Sequence, residues 1–275
     1  MTIGPAEEKL IALAIEEDLG RGDPTSAALP AGMSARATVL AREQLVVCGL
    51  DLAARVFEIV DARVTFERLC EEGEVARPDQ AIARLAGPAR AMFSAERTAL
   101  NFLARLSGIA TLTRSYVEAA AGTGARVSDT RKTTPGWRRL EKYAVRTGGG
   151  ENHRLDLSEA ILLKDNHIGA LGSVGEAIRR ARAASPGLAV AVEVSTLAEL
   201  SLALAERAEA VLLDNMDDAT MRAAVELARG RACIEVSGGV TLQRVRAIAE
   251  LGVDRISVGR LTHSAPSADL SLEVE

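Results

Sequence analysis

The sequence predicts an α/β protein in two parts: an α+β region at the N-terminus, then a region of parallel β/α units. Three observations carry this. Beyond about residue 105, short apolar runs alternate with amphipathic helical stretches, which is the pattern of a parallel sheet with crossover helices. Several of the runs are apolar on both faces, as strands buried in such a sheet are. From Glu193 onward the unit recurs roughly every twenty residues, the size of a compact β/α repeat.

The elements follow in order. Pro5 opens a helix with Glu7 and Glu8 in its first turn and apolar residues at helical spacing to Leu19; Gly20 stops it. Strand patterns cover residues 35–41, 45–48, 64–69 and 81–85, with a helix over 51–60. Ser94 is placed to cap a helix that reaches residue 121 with a break near Gly108. In the second region, strands are expected at 126–128, 160–163, 188–194, 210–213, 232–236 and 255–258. Helices are expected at 137–146, 172–184, 197–208, 219–228 and 242–251. Gly148-Gly149-Gly150 reads either as a helix stop with a link or as a mobile loop over a site. The six β/α units suit a reduced or open barrel, with a flat doubly wound sheet as the alternative.

Composition narrows the function. The net charge of −5 disfavours a general nucleic-acid surface, so any positive site is local. Aromatic residues are 3% of the chain, which disfavours a stacking platform. No apolar run is long enough to span a bilayer, and the N-terminus lacks a signal-peptide pattern. Cys48, Cys70 and Cys233 are odd in number and far apart. They read as buried small hydrophobes in a reducing cytoplasm, with no catalytic role. Of 33 basic residues only Lys9, Lys132, Lys142 and Lys164 are lysines. A chain that otherwise uses arginine makes each lysine informative, because the two groups differ in hydration and donor geometry.

The strand ends hold most of the chemistry. They run into Asp129-Thr-Arg131-Lys132, Lys164-Asp165-Asn166-His167, Val192-Glu193-Val194, Asp214-Asn215, Glu235-Val236-Ser237-Gly238-Gly239 and Ser257-Val258-Gly259-Arg260. Parallel β/α folds bind ligands beyond the carboxyl ends of their strands, so a shared site is expected there. Arg131, Lys132, His153, Arg154 and Lys164 form a cationic set suited to a polyanionic substrate. Glu193 and Asp214, on adjacent strands, suit Mg²⁺, which takes few carboxylates plus waters and substrate phosphates. Two glycine turns on the last two strands suit a phosphate. Lys142 and Tyr143 lie off the strand ends, where an exposed lysine and a packed tyrosine are expected. Trp137 either lines the site or packs at the start of its helix. His167 reads as a hydrogen-bond anchor for its loop, and His263, near the phosphate turn, as structural. His153, His167 and His263 have no metal-ligand spacing.

Several longer blocks are more specific. They are Asp129-Thr-Arg-Lys-Thr-Thr-Pro-Gly136, Glu141-Lys-Tyr-Ala-Val-Arg146, Asn152-His-Arg154, Leu163-Lys-Asp-Asn-His-Ile168, Leu213-Asp-Asn-Met216 and Leu261-Thr-His-Ser264. Together with Glu96-Arg97 they resemble the quinolinate phosphoribosyltransferase family over essentially the whole chain. The resemblance implies an N-terminal α/β sandwich at 1–105 and a seven-stranded open α/β barrel at 106–264, with the tail at 265–275 packing on the sandwich. It implies a cytoplasmic homodimer with shared sites. It also implies a pentosyl transfer from phosphoribosyl pyrophosphate to quinolinate with Mg²⁺, giving nicotinate mononucleotide, pyrophosphate and CO₂.

By the same resemblance, Arg131, His153 and Arg154 bind the quinolinate carboxylates and Lys132 lies near both substrates. Arg97 reaches in from the partner subunit, and Lys164 sits by the pyrophosphate and the reacting centre. Glu193 and Asp214 stand beside ribose and metal, while Ser237, Gly238, Gly239 and Gly259 cradle the 5′-phosphate. Thr147, Ser195 and Arg260 depart from the family pattern; Arg260 either contacts the phosphate or points to solvent. Two rival readings are a related molybdenum-locus protein acting on another base and a non-catalytic nucleotide or phosphate sensor. Lys164-Asp-Asn-His167 and Asn152-His-Arg154 favour quinolinate over the first. The joint presence of both lysines and both acids argues against the second.

Overall fold

The computed structural model describes residues 1–275. In chain order its elements are α1 (Pro5–Leu19), α2 (Pro24–Ala27), β1 (Ser34–Ala41), β2 (Leu45–Val46), α3 (Leu50–Val60), β3 (Thr65–Arg68), β4 (Val75–Ala76), β5 (Ala81–Pro88) and α4 (Ala89–Ala120). Then come β6 (Arg126–Ser128), α5 (Arg138–Thr147), β7 (Ile161–Leu163), α6 (Asp165–Leu171), α7 (Val174–Ala184), β8 (Val190–Val194), α8 (Leu197–Ala205) and β9 (Ala210–Asp214). The chain ends with α9 (Asp218–Ala228), β10 (Cys233–Ser237), α10 (Leu242–Glu250), β11 (Arg255–Ser257), α11 (Arg260–His263) and β12 (Leu270–Val274). No helix is long and apolar enough to cross a membrane.

One compact unit comprises Met1–Arg114, Thr134–Gly149 and Ser264–Glu275. Its sheet has the order β12-β1-β5-β3 with antiparallel pairing. Along β1 burial alternates, with Ala37, Val39 and Ala41 fully buried, as a strand with one covered face requires. The strand Leu270–Val274 has no counterpart among the expected elements; it closes one edge of this sheet by pairing with β1.

Helix α4 differs from its sequence reading. It starts at Ala89, directly after β5, and shows no break. Ser94 is therefore inside the helix, and its hydroxyl donates to Asp23 Oδ2 at 2.9 Å rather than capping. The extra first turn, Ala89-Arg-Ala-Met-Phe, is rich in helix formers, and the Arg90 Nε holds it by donating to the Leu29 carbonyl at 2.9 Å. Gly108 is a point of close approach: a Cβ there would collide with the carbonyl of Pro266. Lys142 is also corrected, since it is buried. Its neighbour Glu141, fully buried, accepts from Arg105 Nη2 at 2.7 Å and from the Thr134 hydroxyl at 2.9 Å. Trp137 packs at the start of α5, stacked on Phe102 with ring centroids 5.0 Å apart. Gly148 ends α5 and lies against Ala110 and Thr113, which favours the helix-stop reading of the glycine triplet.

The other unit, Ser115–Thr133 with Gly150–His263, holds a six-stranded parallel sheet in the order β6-β11-β10-β9-β8-β7. From β7 to β11, strands consecutive in the chain are neighbours in the sheet. No reversal of winding occurs, so right-handed crossovers place the helices on one face. This is the open-barrel arrangement and excludes the doubly wound sheet. The expected seventh strand is reduced to one parallel bridge, Ser128 to Glu151, on the free edge of β6. Cys48 and Cys70 are buried as expected, whereas Cys233, the first residue of β10, is only half-buried.

Candidate active site

Alternate residues of a strand face the same side, and here parity decides what reaches the cavity. Across β8, β9, β10 and β11, Glu193, Leu212, Glu235 and Arg255 stand in one row. Two residues further on, Asp214, Ser237, Ser257 and Ser128 stand in another. Both rows lie at the carboxyl ends of the strands, and all their members except Arg255 and Ser128 line a cavity of about 400 Å³, within the size range of small-molecule sites. Its lining brings together Arg131, Lys132, His153, Arg154, Lys164, Glu193, Asp214, Ser237 and Gly238. Glu235, Ser257 and Thr130 join them from the same strand ends, with Leu162 and Leu212 as the apolar part. Gly239 and Gly259 are in the neighbouring turns but are not among the lining residues. Arg97 is exposed on α4, in the first unit.

The cationic side is crowded. Arg154 donates from Nη1 to the Ala160 carbonyl at 2.8 Å. Burial and then the neighbouring Arg131 charge push its pKa down. The Arg131 Nε is buried with no hydrogen-bond partner. Two guanidiniums that repel one another, one with an unmet N–H, form a site that an anion relaxes. Lys132 is exposed, its backbone fixed by the buried Thr262, whose hydroxyl donates to the Lys132 carbonyl at 2.7 Å. Lys164 is also exposed, with Nζ 3.5 Å from Glu193 Oε2. His167 Nδ1 accepts from the Lys164 backbone N–H at 3.1 Å, so this histidine anchors the start of α6.

Asp129 and Glu235 stand among the charged strand ends of the sequence but receive no site role from it. Asp129 is fully buried just past β6; Oδ2 accepts from Asn152 Nδ2 at 2.6 Å and Oδ1 from the His153 backbone N–H at 2.9 Å. It fixes the segment that carries His153 and Arg154. Glu235 is buried beneath His153, whose Nε2 lies 3.5 Å from Glu235 Oε1, and Arg255 Nη1 is 3.4 Å from Oε2. Ser257 donates to Oε1 and meets Ser128 at 2.8 Å. Burial pushes the Glu235 carboxyl up, but the hydrogen bonds from His153 and Ser257 and the Arg255 charge outweigh it and hold it below the ordinary glutamate value. The signal for it was available: Glu235 precedes Ser237 by two and shares its face.

At the glycine turn, Gly238 has φ +92°, and a Cβ there would come within 3.2 Å of Asp214 Oδ1. Only glycine lets this backbone pass so close to the acid. Arg260 is exposed beyond the next strand, and His263 lies against Gly259. No group of three or more His, Cys, Asp or Glu side chains stands together as a metal cage.

An open parallel β/α sheet whose carboxyl ends gather arginines, lysines, two carboxylates and a Ser-Gly-Gly turn defines an α/β protein built to hold a small polyanion. Comparison with known proteins is specific. The chain belongs to the quinolinate phosphoribosyl transferase family: the N-terminal domain of that family matches residues 23–107 and the C-terminal domain matches residues 109–273. It is 44% identical over 264 residues to the probable nicotinate-nucleotide pyrophosphorylase (carboxylating) of Synechocystis sp., covering 94% of this chain and 90% of that one. The nicotinate-nucleotide pyrophosphorylase (carboxylating) of Mycobacterium leprae is 42% identical over 98% of this chain and 97% of its own. The solved nicotinate-nucleotide pyrophosphorylase of Francisella tularensis superposes with a TM-score of 0.94 at 38% identity, covering 98% and 96% of the two chains.

Proposed function

We propose that this protein joins quinolinate to the ribose of phosphoribosyl pyrophosphate, releasing pyrophosphate and CO₂ and leaving nicotinate mononucleotide. The observation that carries this reading is the Arg131–Arg154 pair: two adjacent guanidiniums, one with an unmet buried N–H, in a cavity that also holds Lys132 and Lys164. Such a wall suits a rigid dicarboxylate, because guanidinium forks pair with carboxylates two-pronged. Family membership and the two pyrophosphorylase relatives support the same chemistry.

In this account Arg131, Arg154 and His153 hold the two ring carboxylates and aim the ring nitrogen at ribose C1. Positioning of this kind supplies much of the rate when no covalent intermediate is formed. The nitrogen bonds to C1 as the C1–O bond breaks and its electron pair leaves with pyrophosphate. Glu193 and Asp214 face the positive charge that develops on the ribose, and Lys132 and Lys164 face the negative charge of the leaving group. The carboxylate beside the ring nitrogen then departs as CO₂; the electron pair of its bond stays on the ring carbon, which takes up a proton. Ser237, Gly238, Gly239 and Gly259 serve the 5′-phosphate.

Glu193 and Asp214 suit Mg²⁺ as a partial donor set, two carboxylates on one cavity wall, with waters and substrate phosphates completing the shell. When bound, Mg²⁺ would neutralise charge on the pyrophosphate. The working form is a homodimer in the cytoplasm, with Arg97 serving the partner's cavity.

The test of the reaction is incubation of the purified protein with quinolinate, phosphoribosyl pyrophosphate and Mg²⁺. Nicotinate mononucleotide is expected; product from nicotinate but none from quinolinate would overturn the substrate assignment. Mixing Arg97→Ala with Lys132→Ala protein tests the shared site. Regained activity in the mixed dimers is expected, and none would remove the role given to Arg97.

A further inference from the structure

His153 has its two ring nitrogens turned toward different protein groups. Nδ1 accepts from the Arg154 backbone N–H at 2.8 Å, so it carries no proton while that bond stands. The proton is then on Nε2, which faces Glu235 Oε1 at 3.5 Å. Glu235 is itself fixed from two other sides, by the Ser257 hydroxyl and by Arg255, its register partner on β11. The acceptor that meets His153 therefore cannot swing away, and the ring is held between a backbone donor and a buried carboxylate.

We infer that Glu235 is a positioning residue: with the tautomer set by the Arg154 N–H, it holds the orientation of the His153 ring and of its Nε2–H, so that this one N–H is shared between Glu235 and an anionic group in the cavity. The inference rests on the reaction proposed above and adds to it a residue that touches neither reacting atom. It has a consequence of definite sign. Glu235 is a negative charge on the wall of a site for an anion, so its charge alone opposes substrate binding. Removing it would tighten binding if charge were its only effect. If it positions His153, removing it weakens binding.

The experiment compares Glu235→Ala and Glu235→Gln with the native protein. For Glu235→Ala the KM for quinolinate should rise on the order of tenfold, the scale of one hydrogen bond to a charged group, while the KM for phosphoribosyl pyrophosphate stays unchanged. Glu235→Gln retains an acceptor for Nε2–H and should recover most of the affinity. A KM for quinolinate that falls or stays put in Glu235→Ala, or rises equally for both substrates, overturns the inference. A second readout does not depend on turnover. The chain has 3 histidines, so long-range ¹H–¹⁵N spectra of the ligand-free protein are simple to assign. The Nε2–H proton of His153 should be protected from exchange with solvent and visible in the native protein and in Glu235→Gln, and should exchange too fast to be seen in Glu235→Ala. A His153 Nε2–H that stays equally protected in Glu235→Ala overturns the inference even if quinolinate proves not to be the substrate, whereas failure of the native protein to use quinolinate overturns the reaction and leaves the spectra to decide the role of Glu235.

Discussion

Replacing Asp129 by alanine should damage substrate binding and stability together, in amounts the structure sets. The carboxylate accepts two bonds in a fully buried position, from Asn152 Nδ2 at 2.6 Å and the His153 N–H at 2.9 Å. Hydrogen bonds to a charged group contribute about 1.5–3 kcal/mol each, and a donor left unmet in the interior adds its desolvation cost. The substitution should therefore cost about 3–6 kcal/mol or more. Part falls on global stability: about 3 kcal/mol lowers the Tm of a chain of this size by about 6–12 °C. The rest falls on the 152–154 segment, which carries His153 and Arg154 into the cavity, so the KM for quinolinate should rise by an order of magnitude or more. Scanning calorimetry and steady-state kinetics with each substrate in turn measure the two parts. A variant with native Tm and native KM would refute the view that this buried acid builds the substrate wall.

Other expectations follow from the same geometry. Lys132→Ala and Glu193→Ala should each lower kcat at least a hundredfold, by loss of charge stabilisation at the reacting centre, without changing the Tm; near-native turnover would remove their assigned roles. Gly108→Ala should destabilise the protein by about 1–3 kcal/mol or more, because the new methyl meets the Pro266 carbonyl, and denaturant unfolding showing no loss would contradict that close approach. Asp23, which caps α2 and receives hydrogen bonds first from the Ser26 side chain, then from the Ser26 N–H and Ser94, has its carboxyl lowered to about 2 from an ordinary 3.8. A lowered carboxyl stabilises the fold above its unfolded value and loses that contribution as pH falls through its folded value. Asp23→Ala should accordingly be less stable than native protein at neutral pH, and the difference should vanish as pH drops from 3.8 toward 2; a difference independent of pH would contradict the assignment.

Much of the C-terminal architecture was legible because strand and helix periods differ and the β/α units alternate cleanly. The choice between an open barrel and a doubly wound sheet was not, since it depends on the order in which strands pair. Within the site, charged strand ends were readable one residue at a time. Glu235 is less legible because it lies two residues before the end of β10, although its face is that of Ser237 and not of Val236. Asp129 looked like part of a motif, but its burial beneath Asn152 and His153 follows from a loop that returns 23 residues later. Lys142 looked like a surface residue because buried lysines run against that side chain's ordinary preference, and no local pattern announces them. The Ser94 cap was a plausible local signal overridden by contacts from Arg90 and Asp23. The break at Gly108 was likewise a misread glycine, present for the Pro266 segment and not for the helix.

The central claim is that this cavity grips a dicarboxylate and sheds one of its carboxyl groups. Quinolinate labelled with ¹³C in the carboxyl beside the ring nitrogen tests it directly. The account predicts one labelled CO₂ for each pyrophosphate and each nicotinate mononucleotide formed, and none without phosphoribosyl pyrophosphate. Pyrophosphate release with the label retained in the nucleotide, or no turnover of quinolinate at all, would contradict it.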